Sequence, residues 1–329
     1  MIKILELFGG IGAPRKALER MEVPIKSIDY VEILPNAVAS YNRLFDNNYK
    51  TQDIKEWNMK VDLLIHGSPC QDWSNNGLNN IATGRSILYE RTLEIIKHDL
   101  HPKPKVVIWE NVTGLISKRH KHHFNHYLES MNDMGYTNHY QVLNAKDYGI
   151  PQERKRVFVV SVLNNLDFKF PTPNKNIPDI EHYIDHKVDF ERYRLSDNEM
   201  QLFFYENSNL YIRENNSKGK RMVEEYDVVN IERPTSKTRR GRLGKRTAKT
   251  LTTAPNQAIY YNDKLRRLTA KEHWLLMGFD ESDYNKVLHD SIKESHLYQL
   301  AGNSIVVQVL EAIFKEVLSA LEEDKKCKQ

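Results

Sequence analysis

The first 165 residues alternate between short apolar runs and longer segments in which apolar residues recur with helical spacing. The apolar runs, which predict strands, are residues 3–8, 25–31, 61–65, 106–109 and 157–160. Amphipathic segments such as residues 34–45 lie between them. This repeated alternation predicts an α/β fold with a doubly wound, mostly parallel sheet.

The alternation breaks at Pro171 and Pro173, and the next 90 or so residues are polar, short in period and rich in Tyr, Asn, Lys and Arg. Helical periodicity returns at residues 270–277 and 306–321. We therefore expect a large domain over 1–170, a smaller inserted domain over 171–263, and a C-terminal segment over 264–329 that rejoins the large domain.

The composition is that of an ordinary soluble protein, with 40% apolar and 28% charged residues. No apolar stretch approaches the roughly 20 residues that a membrane span needs. Glu6 interrupts the apolar run at the amino terminus, which favours a first strand over a secretory signal. We expect a cytoplasmic protein with no membrane partner.

Two cysteines, Cys70 and Cys327, are too few for a disulfide framework or a cysteine-rich zinc site. His122 and His126 have the spacing of metal ligands on a helix, but lysine and arginine residues surround them. That pattern is typical of a solvated helix face, so we expect no metal.

The net charge of +4 is modest, but its distribution is uneven. Residues 233–249 contain eight basic residues and no acidic one. A concentrated basic segment is typical of a polyanion-binding surface. Charge alone leaves nucleic acid binding and a solvated loop about equally supported.

A thiol and a carboxylate follow two of the predicted strands. Cys70 follows a proline shortly after the run at 61–65, and Glu110 directly follows the run at 106–109. If both runs are strands of one parallel sheet, the two side chains emerge at the same carboxyl edge, where open α/β sheets bind ligands. This pairing indicates covalent catalysis.

A glycine loop, Phe8-Gly9-Gly10-Ile11-Gly12, joins the first strand to the first helix. Such a loop brings backbone amides close to a ligand at a helix amino terminus. The dinucleotide fingerprint is incomplete, because Arg15 stands where a third glycine is needed. Glu32, at the end of the second strand, either binds ribose hydroxyls or caps the next helix before Pro35.

Four motifs follow the glycine loop in an order that resembles the C5-cytosine DNA methyltransferases. They are Gly67-x-Pro69-Cys70-Gln71, Glu110-Asn111-Val112, Gln152-x-Arg154-x-Arg156 and Ala301-Gly302-Asn303-Ser304. The resemblance covers residues 2–165 and 264–315, which is everything except the basic middle. Any one motif can occur by chance, but the ordered set is highly specific.

The resemblance implies a Rossmann-like S-adenosylmethionine-dependent methyltransferase. Residues 1–170 would form the catalytic and cofactor-binding domain, and residues 171–263 the target-recognition domain. The reaction would transfer a methyl group from S-adenosylmethionine to C5 of a flipped cytosine in a specific double-stranded DNA sequence, with S-adenosylhomocysteine as the other product.

The chemistry explains why these residue types are needed. Cytosine C5 is a poor carbon nucleophile, so the ring must first be activated by adding a thiolate at C6, and Cys70 is the nucleophile that we expect. Glu110 would assist near N3 if burial raises its pKa. The resemblance implies that Arg154 contacts the base and that Arg156 is more structural.

The resemblance also implies a set of cofactor-binding residues. Asp53 would accept a hydrogen bond from the adenine amino group, and Asn303 and Ser304, opening the last helix, would complete the pocket. The full set is Phe8, Gly10, Ile11, Gly12, Glu32, Ile33, Asp53, Ile54, Pro69, Leu88, Asn303 and Ser304. The chain departs from the family pattern at Ala13-Pro14 and at Ser68, where an aromatic residue or another proline is common; we expect altered local packing with cofactor binding retained.

For DNA, the polar segment at residues 71–85 is interpreted as a loop that closes over the flipped base, with Ser74 near the phosphate backbone. The predicted DNA-binding residues are Gln71, Ser74, Arg239, Arg240 and Arg242. We expect a monomer, and a cognate restriction endonuclease is a further possible partner.

Three rival functions are weighed against this one. Relatives that methylate tRNA carry a Cys-Phe-Thr signature in the smaller domain, and this chain has no cysteine between Cys70 and Cys327. A dinucleotide-dependent oxidoreductase is disfavoured by the incomplete glycine fingerprint. A catalytically inactive DNA-binding regulator is disfavoured because every expected catalytic position is filled.

Overall fold

The computed structural model describes residues 2–56, 61–68, 88–99, 102–164, 166–174, 176–238 and 240–327. The strands are β1 Ile2–Leu7, β2 Ile25–Val31, β3 Leu63–His66, β4 Val106–Val112, β5 Tyr136–Asn144, β6 Gln152–Glu153, β7 Lys155–Leu163, β8 Phe203–Glu206, β9 Asn209–Arg213, β10 Lys220–Met222, β11 Val228–Asn230, β12 Leu243–Gly244, β13 Ala248–Lys249, β14 Gln257–Tyr261 and β15 Lys264–Arg267. The α-helices are α1 Ala13–Arg20, α2 Pro35–Phe45, α3 Tyr89–Glu94, α4 Lys121–Asp133, α5 Asp197–Met200, α6 Ala270–Leu276, α7 Glu281–Val287, α8 Glu294–Asn303 and α9 Val307–Cys327.

The chain divides into two compact units. The first contains Met1–Asn144, Lys155–Pro173 and Ser304–Gln329, and the second contains Ala145–Arg154 and Asn174–Asn303. The C-terminal part therefore returns to the first unit at residue 304, later than the expected residue 264. The reason is local pairing, since β15 forms a ladder with β14 and α6 packs against α8 within the second unit.

In the described part of the first unit, six strands form one sheet in the order β2-β1-β3-β4-β7-β5. The four strands β2, β1, β3 and β4 are parallel, whereas β7 is antiparallel to both of its neighbours. The prediction of a mostly parallel α/β sheet is confirmed. Its register pairs Leu7 with Val31 and His66, and His66 with Trp109. The residues that follow these four strands consequently meet at one edge.

Both faces of the sheet are buried, as expected for parallel strands covered by helices. Leu64 and Val107 pack in one core cluster with Tyr127 and Met131 of α4. The alternate positions, including Ile65, are also buried. This double coverage explains why these strands read as continuous apolar runs in the sequence.

The second unit is built from short antiparallel strands. Within its described residues, β10-β9-β8 and β12-β11-β14-β15 form two sheets, and β13 pairs in parallel with β6. A buried ion pair between Arg266 and Glu272 joins β15 to α6. Strands of two to five residues bury too few side chains to show a clear period, so the sequence reads as irregular here.

None of the helices in the described part of the chain combines the length and apolar character that crossing a membrane requires.

Candidate active site

The glycine loop lies at the carboxyl edge of the sheet, directly after β1. Phe8, Gly10 and Gly12 have φ of 55°, 54° and 74°, in the left-handed region that favours glycine. A side chain on Gly12 would collide with the rings of Phe45 and Tyr41 at 2.5 and 2.6 Å, so this glycine permits close packing on α2. A side chain on Gly10 would meet no atom within 4 Å among the described residues. Gly10 therefore leaves its backbone open to a ligand, while Ile11 is buried beneath the loop.

The Glu32 carboxylate connects the end of β2 to the glycine loop. Its Oε2 accepts from the Gly10 amide at 3.0 Å, and its Oε1 accepts from the Ile33 and Leu34 amides, each at 2.9 Å. Burial raises the pKa of Glu32, and the three amide hydrogen bonds act in the opposite direction. The Ile33 and Leu34 amides precede α2, whose amino end has no side-chain cap among the described residues, so the expected capping of this helix by Glu32 is not observed. A carboxylate accepts about four hydrogen bonds, which leaves Glu32 room for about one ligand hydroxyl. Ile33 beside it is 60% exposed, an unusual position for a large apolar side chain.

Asp53, Ile54 and Leu88 lie near this edge. The Gln52 amide donates to the Glu32 carbonyl at 2.9 Å, which brings the segment before Asp53 alongside the end of β2. Asp53 Oδ1 accepts from the Lys55 amide at 3.0 Å, and Ile54 is buried. Leu88 is half-buried and caps the amino end of α3, from which Arg91 donates to the Ile54 carbonyl at 3.4 Å. These contacts hold the three predicted residues around one side of the sheet edge.

Glu110 and Arg156 form an ion pair across the strands β4 and β7. Arg156 Nε lies 3.1 Å from Glu110 Oε1, with side chains only 16% and 12% exposed. A Cβ atom on Gly67 would lie 3.7 Å from Glu110 Oε2, so the backbone after β3 runs next to this carboxylate. The fixed fork of the guanidinium can orient the carboxylate and still donate to a bound base.

The surroundings of Arg154 contradict the expectation that it contacts the base. Arg154 is 4% exposed, and its two terminal nitrogens donate to the carbonyls of Leu251 and Gly302, each at 2.9 Å. Its guanidinium is thereby committed to holding backbone segments together within the second unit. Arg156, expected to be more structural, is the arginine that pairs with the Glu110 carboxylate.

The segment leading to the predicted nucleophile is anchored on β4. Trp109 Nε1 donates to Ser68 Oγ at 3.0 Å, and Asn111 Nδ2 donates to the Ser68 carbonyl at 3.1 Å. Pro69 and Cys70 follow Ser68 in the chain and lie outside the described residues.

The model of the protein family described as C-5 cytosine-specific DNA methylase matches residues 2–319, nearly the whole chain. The chain belongs to this family. It is a DNA cytosine-5 methyltransferase, and the function predicted from the motifs is confirmed.

Similar proteins cover the chain almost end to end. The type II methyltransferase M2.ScrFI of Lactococcus lactis subsp. cremoris is 28% identical over 97% of this chain and 100% of its own length. The type II methyltransferase M.NlaX of Neisseria lactamica is also 28% identical, over 98% of this chain and 97% of its own.

Solved structures share the fold. The Entamoeba histolytica methyltransferase EhMeth has a TM-score of 0.68 at 19% identity, covering 98% of this chain and 99% of its own. The S. pombe Dnmt2 methyltransferase has a TM-score of 0.66 at 20% identity, with the same coverage of both chains. At such identities the likeness establishes the fold alone.

Asn303 and Ser304 of this methyltransferase lie at the end of α8 and directly after it, so the expectation that they open the last helix is wrong. Asn303 is the exposed final residue of α8, and α9 begins at Val307. Ser304 is buried, and its hydroxyl donates to the Ile305 carbonyl at 3.2 Å. Lys105, just before β4, pairs with Asp324 late in α9 at 3.8 Å.

The predicted DNA-binding residues differ in exposure, and some of them are not described by the structure. Gln71, Ser74 and Arg239 lie outside the described residues, and Arg240 is exposed. Arg242 is 1% exposed and donates to the carbonyls of Asn230, Glu232 and Arg233 at 2.7 to 3.0 Å. The prediction that Arg242 contacts DNA is therefore wrong, because its guanidinium is buried and holds a backbone turn.

Other basic residues of this segment are paired with carboxylates. Lys245 pairs with Asp227, Arg246 with Asp179, and Lys249 with Glu153. Arg233, Lys237 and Arg240 are exposed and have no carboxylate partner among the described residues.

Two residues outside the motifs, Tyr30 and Glu6, help to hold the glycine loop and the helix packed on it. The Tyr30 hydroxyl donates to the Gly10 carbonyl at 2.5 Å. Glu6, fully buried, accepts from the Tyr41 hydroxyl at 2.6 Å. Burial raises the pKa of Glu6 to about 7, against the opposing effects of Tyr41 and the Arg15 charge. The signal in the sequence was a glutamate inside an otherwise apolar strand.

Proposed function

We propose that this methyltransferase uses S-adenosylmethionine and attacks its target cytosine through Cys70. The observation that carries the proposal is the bonding of Ser68 to β4 beside Glu110. Only Pro69 separates Ser68 from Cys70 in the chain. We propose that the Cys70 thiol acts at the sheet edge where Glu110 and the glycine loop lie.

In the proposed reaction, the Cys70 thiolate forms a bond to cytosine C6 and the electrons of the C5=C6 bond move toward C5 and N3. Glu110, oriented by Arg156 and carrying a proton, donates that proton to N3 as electron density builds up there. S-adenosylmethionine supplies the electrophilic methyl group when bound, and S-adenosylhomocysteine is its product. Once C5 carries the methyl group, a water molecule accepts the C5 proton and the electrons of the C5–H bond re-form the C5=C6 bond. N3 gives its proton back to Glu110, and the C6–sulfur bond breaks, which restores the aromatic ring and frees the Cys70 thiolate.

The residues at the edge of the sheet fit the cofactor. The open space at Gly10 admits a ligand close to the backbone, and Glu32 offers acceptors to a ribose diol. The exposed Ile33 suits the face of an adenine ring. We propose that Asp53, Ile54 and Leu88 complete the adenine side and that Ser304 completes the pocket.

We propose that the second unit contacts double-stranded DNA through residues 231–241 and the adjacent turn at 214–219. Asn215 Nδ2 donates to the Thr238 carbonyl at 3.4 Å, and the Arg242 amide donates to Glu214 at 2.8 Å, so the two segments are neighbours. Arg233, Lys237, Arg240 and Lys218 are exposed there. Such cations neutralise phosphates and position the duplex while the target base is rotated out.

Bisulfite sequencing of plasmid DNA from cells that produce the protein tests this function and reveals the recognition sequence. We expect protected cytosines at one sequence with the wild type and none with Cys70→Ser. Unprotected plasmid in both would contradict the activity, whereas equal protection in both would contradict the role of Cys70. Because the relatives are named type II methyltransferases, we further propose that a cognate endonuclease cuts the sequence so identified.

A further inference from the structure

The side chain of Ser68 is joined to β4 by buried hydrogen bonds. Its hydroxyl accepts from Trp109 Nε1 at 3.0 Å and lies 3.4 Å from Asn111 Nδ2. Ser68, Trp109 and Asn111 are 3%, 1% and 2% exposed. A buried indole N–H needs an acceptor, so the serine hydroxyl and the tryptophan depend on each other.

The Trp109–Ser68 hydrogen bond lies next to the predicted nucleophile in the chain. Ser68 stands two residues before Cys70, with only Pro69 between them. Proline is the residue with the least backbone freedom, and it also restricts the residue before it. Few torsions therefore separate the anchored Ser68 from the thiol.

Asn111 Nδ2 donates to the Ser68 carbonyl at 3.1 Å and makes a longer contact, of 3.4 Å, with the Ser68 hydroxyl. Trp109 adds a shorter hydrogen bond to that hydroxyl, at 3.0 Å, from a second residue of β4. Two attachment points fix the orientation of a residue, whereas one leaves it free to rotate. Trp109 is itself held, because its ring stacks on His66 with an interplanar angle of 5° and packs on Tyr127 at 4.1 Å.

We propose that the Trp109–Ser68 hydrogen bond sets the direction in which the chain leaves β3 and thereby positions the Cys70 nucleophile. Ser68 is a positioning residue that acts through the backbone. This inference rests on the proposed role of Cys70. It also accounts for the departure of the chain from the family pattern at Ser68, since here a hydrogen bond from Trp109 takes the place of apolar contact.

The test compares Ser68→Ala, Trp109→Phe and the double variant. DNA with 5-fluorocytosine at the target traps the covalent adduct, and the rate of adduct formation at saturating cofactor is the main readout. Misplacement of a nucleophile by about 1 Å can cost on the order of 100-fold in rate. We expect each single variant to form adduct 10- to 100-fold more slowly. The double variant should be no slower than the slower single one, because both changes remove the same bond.

Affinity for S-adenosylmethionine should stay within twofold, since the glycine loop and Glu32 follow β1 and β2 and are held by contacts that do not involve Ser68. A general loss of stability would not leave cofactor affinity intact while slowing one chemical step. All rates are compared below the melting temperatures of the variants.

Two controls match the chemistry of the changes. Ser40→Ala removes a buried hydroxyl that has no partner among the described residues. Trp274→Phe removes an equally buried indole hydrogen bond, to the Leu297 carbonyl at 3.0 Å, in the second unit. Neither should slow adduct formation. If Ser68→Ala proves unable to fold, Trp109→Phe against Trp274→Phe carries the test.

Adduct formation by Ser68→Ala and Trp109→Phe at the wild-type rate, or additive losses in the double variant, would overturn the inference. Failure of the wild type to form any adduct would instead contradict the proposed role of Cys70, so the two ideas fail in different ways.

Discussion

The guanidinium Nε of Arg156 lies 3.1 Å from Glu110 Oε1, across the antiparallel pair of β4 and β7. Arg154, two residues earlier, donates to carbonyls of Leu251 and Gly302. The two arginines of one motif therefore have separate partners, one the Glu110 carboxylate and one the backbone of the second unit.

This separation predicts different defects for the two arginines. Arg156→Gln should lower kcat by about 100-fold, since one charged donor at the reacting base is lost, with a small change in melting temperature. Arg154→Gln should lower the free energy of unfolding by about 1 to 3 kcal/mol, because two buried carbonyls lose their donor. Thermal melting and steady-state kinetics on both variants check the prediction. The reverse pattern would restore the assignment that the motif alone suggested.

The error about these arginines shows where sequence reasoning stops. Alternating apolar runs located β1 to β4, and their ends correctly marked the edge where Glu32 and Glu110 lie. The partners of Arg154, in contrast, are 97 and 148 residues away. No local pattern encodes such distant pairing.

The basic segment at residues 233–249 also could not be interpreted fully from the sequence. A run of basic residues predicts solvated side chains, but Arg242 is buried on three carbonyls of the turn that it closes. Likewise, the return of helical periodicity near residue 270 predicted a helix, but it did not predict which elements that helix packs against. Pairing of β15 with β14 decides that residues 264–303 belong to the second unit.

Glu32→Ala should weaken S-adenosylmethionine binding by roughly 10- to 100-fold, because a hydrogen bond to a charged acceptor contributes about 1.5 to 3 kcal/mol. The Gly10 amide would also lose its acceptor. Calorimetric titration measures the affinity. Glu129→Ala, an exposed glutamate on α4, is the matched control and should bind as the wild type does. Equal affinity in Glu32→Ala and the control would remove Glu32 from the cofactor site.

Changing Arg233, Lys237 and Arg240 together to Gln should weaken DNA binding and flatten its salt dependence. Each lost phosphate contact lowers the log–log slope by roughly 0.9, so about 2.7 is expected if all three contact phosphates. The control changes three other exposed lysines, Lys286, Lys293 and Lys315, to Gln and removes the same net charge. If both triple variants lose the same slope, only the overall charge matters and the proposed surface is wrong.

Two buried histidines make stability depend on pH. Burial lowers the pKa of His66 and of His273 to about 3, below the 6.5 of an unfolded histidine. The stability they contribute is present above pH 6.5 and is lost as the pH falls, by about 1.4 kcal/mol per histidine and pH unit. Glu6 has the opposite sign, because its pKa of about 7 favours the folded state as the pH falls from 7 to 4.5. The net expectation is a loss of about 1.4 kcal/mol per pH unit between pH 6.5 and 4.5.

His273→Phe tests this expectation, since both ring nitrogens lack partners among the described residues and a phenyl ring keeps the edge contact with Tyr298. The variant should remove about 1.4 kcal/mol per pH unit from the slope of unfolding free energy against pH. Urea unfolding at several pH values gives the slope. His182→Phe, at an exposed position, is the control. An unchanged slope in His273→Phe would mean that His273 is not held neutral in the folded protein.

Cys70 should form a covalent bond to the target base, because thiolate addition at C6 must precede methyl transfer and release follows only when the C5 proton leaves. With 5-fluorocytosine at the target, fluorine cannot depart as a proton does, so the enzyme should be trapped. A denaturation-resistant adduct is expected with the wild type and S-adenosylmethionine. It should be absent in Cys70→Ser, since a serine hydroxyl is far less acidic and does not replace a thiolate without an adjacent base. Cys327→Ser, which changes the other cysteine of the chain, should be trapped as fast as the wild type. If Cys70→Ser methylates DNA at the wild-type rate, or if Cys327→Ser alone escapes trapping, the nucleophile is not Cys70.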